Sequence, residues 1–80
     1  MDTRIVYLLE CSDKTIYVGC TSNFQRRFQE HCAGKVKSTK QRLPVFLVTQ
    51  IHFNDKYKAY AFEKYLKTGS GRAFLNKRLV

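Results

Sequence analysis

Arg27 and His31 stand four residues apart, so on a helix they share a face, about one turn from each other. A guanidinium is permanently charged and presents a fork of donors that matches a phosphate. An imidazole donates a hydrogen bond or moves a proton near neutral pH. Two tyrosines, Tyr7 and Tyr17, precede this pair in strand-like surroundings. A guanidinium and an imidazole beside two phenol hydroxyls suit a phosphodiester. Glu63, one of only six Asp and Glu, is a fifth candidate. It flanks a largely apolar helix, and a single carboxylate there would favour Mg²⁺ or Mn²⁺, with water and substrate phosphate completing the octahedron. Taken singly, each residue also has an ordinary role. The arginine could be solvated, the histidine a surface residue, the tyrosines packing groups with wet hydroxyls, and Glu63 the helix-surface partner of Lys67.

For these side chains to meet, the elements that carry them must be placed. "RIVYLLEC" (Arg4 to Cys11) and "TIYVGC" (Thr15 to Cys20) read as strands, separated by the short polar turn "SDK". A three-residue loop sets Leu9 opposite Tyr17 and Tyr7 opposite Gly19, with both tyrosines on one face because side chains alternate along strands. A two-residue loop would flip one of them to the other face. Gly19 serves the turn from strand to helix, or else allows a close approach of backbone. Ser22 and Gln25 have the spacing of a capping box, with Ser22 as N-cap of the first helix. That helix ends near Gly34, and its apolar stripe is Phe24, Phe28 and Cys32, flanked by Arg27 and His31. Arg26 and Glu30 point away from the stripe.

A basic loop follows, carrying Lys35, Lys37, Lys40 and Arg42 and closed by Pro44. "VFLVTQIHF" (Val45 to Phe53) reads as a third strand, apolar on both faces for its first half and therefore central or covered on both sides. Asn54 or Asp55 caps a helix over Lys56 to Lys67, Gly69 ends it, and a short last helix starts at Ser70. The expected fold is α+β, a small α/β sandwich of order β-β-α-β-α-α. It has a three-stranded antiparallel sheet and flanking helices, as one domain over residues 1–80.

Fifteen Lys and Arg against six Asp and Glu give a formal charge of +9 and a pI near 9.8. Such a field on a small domain points to a polyanion, nucleic acid first. The apolar runs are far too short to cross a bilayer and the first residues are polar. The expectation is a soluble cytoplasmic protein with no membrane partner. Three cysteines, Cys11, Cys20 and Cys32, do not form a closed disulfide framework, and no spacing among them suggests zinc.

"VYLLECSDKTIYVGCTSNFQRRFQEH" resembles the opening of the GIY-YIG endonuclease domain. Ile5-Val6-Tyr7 stands for the first triplet, without its glycine, and Tyr17-Val18-Gly19 for the second, with valine in place of isoleucine. A Thr-Ser turn and a helix bearing Arg27 and His31 follow in the family's order. The downstream "FEKYLKTGSGRAFL" resembles the segment with the family's metal-binding glutamate, which falls on Glu63. The similarity covers nearly the whole chain and is nearest to small stand-alone members that resemble the nuclease module of the excinuclease C subunit. Many family nucleases have a late asparagine near the active site, which adds Asn76 as a candidate.

The resemblance implies a DNA endonuclease that hydrolyses phosphodiesters with one Mg²⁺ or Mn²⁺ ion on Glu63 and no small-molecule cofactor. Arg27 would meet the non-bridging oxygens, and one tyrosine would orient or deprotonate the attacking water. His31 would relay the proton or bind phosphate. Arg26, Lys35, Lys37, Lys40 and Arg42 would grip flanking DNA, contacts that position without reading bases. A role in DNA repair or processing, as a monomer or weak homodimer, follows by analogy. The alternative is a catalytically silent nucleic-acid-binding module of the same fold.

Overall fold

The structure, a computed structural model, describes residues 3–80. Strand β1 (Arg4–Glu10) and strand β2 (Ile16–Thr21) form an antiparallel hairpin, followed by helix α1 (Phe24–Cys32). A basic loop with a 3₁₀ turn at Lys40–Arg42 leads to strand β3 (Phe46–Phe53). Helix α2 (Lys56–Leu66), the short helix α3 (Gly69–Phe74) and a π-helical turn (Leu75–Leu79) complete the chain. The three strands are antiparallel in the order β2-β1-β3. The α+β sandwich and the element order agree with the reading of the sequence.

Strand β1 is the centre of the sheet, and its run from Val6 to Leu9 is almost wholly buried. Its alternation divides the core. Val6 and Leu8 point to one face, where they meet Val18, Ala59, Leu66 and Leu75. Tyr7 and Leu9 point to the other, where Cys11, Val45, Tyr17, Phe24 and Phe28 gather. Helices α2 and α3 thus cover one face, and α1 with the basic loop covers the other.

Several boundaries and positions differ from expectation. Strand β3 is an edge strand, not a central one. Its first half is apolar on both sides, yet Phe46 is 61% exposed and Leu47 41%. A bulge between the Leu8 and Leu9 pairings interrupts its ladder with β1. The cap of α1 is Asn23, whose side chain accepts from the Arg26 amide at 3.1 Å. Thr21 takes the preceding amide, accepting from Asn23 N at 3.1 Å, so Ser22 is left out of the cap. Gly34 does take the left-handed conformation after the helix, at φ 74°. Cys32 is exposed, and His31, expected at the edge of the stripe, is the buried residue of α1. Gly69 opens α3 under a Thr68 cap, and Asp55 caps α2 by accepting from Tyr57 N at 2.8 Å.

Candidate active site

The hairpin register places Tyr7 directly opposite Gly19 and Leu9 opposite Tyr17. Gly19 lies inside β2 rather than at the turn after it, which corrects its expected role. A methyl group there would overlap the Tyr7 ring and approach Cε2 of Tyr17 to 2.9 Å. The missing side chain is therefore the space into which both tyrosines lean. Their ring centroids are 6.2 Å apart. Helix α1 brings His31 into the same space, with ring centroids 5.1 Å from Tyr17 and 5.6 Å from Tyr7.

His31 is fully buried and both its ring nitrogens have partners. Nε2 lies 2.9 Å from the Tyr7 hydroxyl and Nδ1 lies 2.8 Å from the hydroxyl of Thr39, itself fully buried. Burial, then the nearby Arg27 charge, lowers the imidazole pKa below its usual value, so the ring is neutral at pH 7. Burial and the neighbouring Tyr17 push the Tyr7 phenol up to about 12 against the pull of Arg27. Tyr7 thus keeps its proton at neutral pH. Arg27 stands at the rim, 38% exposed, and donates from Nη1 to Glu30 Oε1 at 3.1 Å. Glu30, expected to point away, is its partner. That pairing, foremost, raises the guanidinium pKa, with Tyr7 and Tyr17 adding to it.

Tyr7, Tyr17, Arg27 and His31 are therefore brought together on one face of the sheet. Glu63 is not among them. It projects from α2 over the opposite face, where its charge, after burial, raises the Cys20 thiol of β2. Its side chain is 24% exposed and accepts from Lys67 Nζ at 3.1 Å. The two groups are joined by the free edge of β2. A groove of about 530 Å³ runs along that edge and is lined by Lys14, Tyr17, Arg42, Lys67, Arg72 and Asn76. It holds one tyrosine of the quartet, the candidate Asn76 and four cations, one of which, Lys67, is the ion-pair partner of Glu63. Arg72 donates to the Ile16 carbonyl at 3.2 Å and so fixes this wall to the strand.

Of the cations expected to bind nucleic acid, only Arg42 lies in this groove. It also anchors the loop, donating to Thr15 Oγ1 at 2.6 Å and to the Ser38 carbonyl at 2.8 Å. Arg26 and Lys35 border a shallow hollow on the outer side of α1 instead. Lys37 and Lys40 are exposed on the loop. Lys14, Arg72 and Thr39 escaped the sequence reading, which named Lys67 only as the ion-pair partner of Glu63. Lys14, Lys67 and Arg72 belong to a turn, the C-cap of α2 and helix α3, which meet only in the folded chain, and Thr39 is a plain hydroxyl within a run of charges.

A lone carboxylate at a half-open edge is the donor set of a hard divalent ion completed by water and phosphate. Among the described residues, no cluster of three or more His, Cys, Asp and Glu could enclose a metal. Among them too, no helix is long and apolar enough to cross a membrane.

Residues 4–78 match the model of the GIY-YIG catalytic domain. A UPF0213 protein of Lactococcus lactis is 40% identical over 68 residues, which are 84% of this chain and 69% of that protein. A UPF0213 protein of Staphylococcus haemolyticus is 42% identical over 71 residues, 88% of this chain and 87% of that protein. The solution NMR structure of a UPF0213 protein of Bacillus halodurans shares the fold with a TM-score of 0.61 at 33% identity, covering 94% of this chain and 83% of that one.

Proposed function

Because this chain belongs to the GIY-YIG catalytic-domain family, we propose that it is a divalent-metal-dependent endonuclease that hydrolyses DNA phosphodiester bonds. The observation that carries this reading is the basic groove on the free edge of β2. It unites Tyr17 and Asn76 with Lys67, the partner of Glu63. A DNA strand laid along that edge would reach the tyrosine face on one side and the Glu63 side on the other.

Tyr17 is the water-side tyrosine. It is half-buried and lines the groove, whereas Tyr7 is buried and keeps its proton. Tyr17 orients the attacking water or takes its proton, and Tyr7 supports it from behind. Arg27 supplies donors to the non-bridging oxygens as negative charge grows on the phosphate. A guanidinium carries five N–H donors, and Glu30 engages one of them. His31 is held neutral and orients Tyr7. Lys14, Lys67 and Arg72 hold the phosphates on either side, with Asn76 as a neutral donor among them.

Glu63 would hold one Mg²⁺ or Mn²⁺ ion, shared with water and substrate phosphate. Such an ion, when bound, neutralises phosphate charge and steadies the leaving oxygen. Lys67, the exposed member of the pair, must then yield Glu63 and turn to the DNA, a small cost for an ion pair at the surface. The natural setting is DNA repair or processing in the cytoplasm, by a monomer or weak homodimer that nicks one strand per encounter.

One observation favours the second reading, a silent nucleic-acid-binding module: Glu63 is paired with Lys67 and stands apart from the quartet. The experiment separates the two. Purified protein is first bound to DNA without metal in a gel-shift assay, then given Mg²⁺ or Mn²⁺. The panel comprises flap, fork, junction, nicked and linear DNA, with Glu63→Ala beside the wild type. Cleavage lost in Glu63→Ala supports the nuclease. Salt-sensitive binding without cleavage on any substrate supports the silent module.

A further inference from the structure

We propose that Thr39 is a positioning residue. It donates to His31 Nδ1, places the imidazole proton on Nε2, and so sets one direction of hydrogen bonding, from Thr39 through His31 and Tyr7 toward Tyr17 and the groove. The catalytic consequence rests on the nuclease reading; the hydrogen-bond direction does not.

A neutral imidazole has one donor and one acceptor nitrogen. Here both are engaged by hydroxyls, Thr39 at 2.8 Å and Tyr7 at 2.9 Å, and either hydroxyl can donate or accept. The distances alone allow two arrangements. They differ in what becomes of the Thr39 hydrogen. If Nδ1 carried the proton it would donate to Thr39, and the Thr39 hydroxyl would need an acceptor of its own. The nearest natural acceptor for a threonine in such a turn is the carbonyl three residues back. That is Val36, whose oxygen already accepts from Thr39 N at 3.1 Å and from Lys40 N at 2.9 Å. Thr39 is fully buried, so water does not serve either. A buried donor without a partner is costly, and among the described residues no buried polar side-chain atom lacks a partner.

The other arrangement satisfies Thr39 and both ring nitrogens. Thr39 donates to Nδ1, and Nε2–H donates to the Tyr7 oxygen. Tyr7 then has its own hydrogen to place. Its other polar neighbours are Tyr17 and Arg27, and a guanidinium only donates. Tyr17, whose ring shares the space over Gly19 with a centroid 6.2 Å away, is the side chain placed to accept it, or an oxygen entering from the groove does. A doubly protonated ring is disfavoured by burial and by the charge of Arg27.

Each hydroxyl in the chain thus points its hydrogen outward. Donation that begins at Thr39 occupies the Tyr17 oxygen from behind and leaves the Tyr17 hydrogen directed into the groove, where it orients the attacking water. Thr39 touches neither substrate nor water in this scheme; it acts through His31.

The chain has two histidines, so ¹⁵N spectra of the imidazoles are simple to assign, with His31→Gln removing the buried ring. Wild-type protein, without DNA or metal, is expected to show Nδ1 unprotonated and Nε2 protonated at pH 7.5. A protonated Nδ1, or an average of the two forms, overturns the proposal. In Thr39→Val the Nδ1 resonance should move downfield as its donor is lost, and in Thr39→Ser it should return; an unmoved Nδ1 in Thr39→Val overturns the proposal as well. On DNA, Thr39→Val should lower kcat about tenfold with KM unchanged, and Thr39→Ser should restore it. A protein that cuts no DNA yet carries its proton on Nε2 defeats the nuclease reading and leaves this one standing. A protein that cuts DNA with its proton on Nδ1 does the reverse.

Discussion

The two faces of this sheet are built from neighbouring residues of the same strands, yet they differ in kind. Val6, Leu8 and Val18 meet Ala59, Leu66 and Leu75 in a hydrocarbon core. One residue along, Tyr7 meets His31 and Thr39 in a buried hydrogen-bonded chain, with Phe24 and Phe28 packed around it. The first face supplies stability through removal of apolar surface from water. Buried polar groups on the second face contribute little net stability when satisfied, but they hold one geometry, because any other leaves a donor or acceptor unpaired. A strand's period of two lets one short segment serve both ends. The cost is that Gly19 must stay without a side chain, in a strand where glycine packs poorly.

The contrast can be broken in graded steps. The largest effect is expected from Leu8→Ala on the hydrocarbon face, a loss of about 2–5 kcal/mol in urea unfolding. Tyr7→Phe, on the next residue, should cost less, about 1–2 kcal/mol, because the buried Nε2–H of His31 loses its acceptor. Equal losses at the two positions would erase the distinction between the faces. Gly19→Ala should fall between them, at about 1–3 kcal/mol, because a methyl overlaps the Tyr7 ring. The same variant should displace the tyrosine from His31, visible as a shift of the His31 ring resonances. If these resonances stay in place, the glycine is not what makes room for the pair.

The pH dependence of stability should come from the polar face. His31 has its folded pKa below the ordinary 6.5. Above pH 6.5 the ring is neutral folded or unfolded, and stability is full. Below it the unfolded chain binds the proton first, so stability falls as the pH drops from 6.5 toward the folded value. Tyr7 is raised from 10.0 to about 12, so its contribution holds below pH 10 and is lost as pH climbs through that interval. Thermal melts of wild type against His31→Gln and Tyr7→Phe should show these two limbs flattened one at a time. A wild-type melting temperature that is level from pH 7 to pH 5 would contradict the neutral burial of His31.

The smallest expected effects lie at the β2 edge. Lys67→Ala and Arg72→Ala should each weaken DNA binding evenly across sequences and reduce the slope of affinity against salt by about one phosphate contact. Lys37→Ala on the outer loop should change it less. The opposite ranking would move the DNA path from the groove to the basic loop.

What was legible in the chain follows from local rules. The three-residue turn set the hairpin register, and with it the meeting of Tyr7, Gly19 and Tyr17. The spacing of Arg27 and His31 put both near the apolar stripe. What was hidden depends on distant partners. Strand β3 has the composition of a central strand, but the order β2-β1-β3 leaves it at the edge, because β1 alone is paired on both sides. The capping serine lost to Asn23 because Thr21 bonds that residue's amide and shifts the helix start. The full burial of His31 needs Thr39 eight residues on, and nothing in "KSTKQR" marks that threonine. The groove combines Lys14, Lys67 and Arg72 across the whole chain, which a count of charges cannot place.

The central claim is that the polar face carries the chemistry and little of the stability. Tyr17→Phe tests it most directly, since it removes one oxygen at the groove and keeps the ring. Single-turnover cleavage of the DNA that the wild type cuts best should slow by about a hundredfold or more, with the urea midpoint nearly unchanged. Cleavage at the wild-type rate by a folded Tyr17→Phe would contradict it.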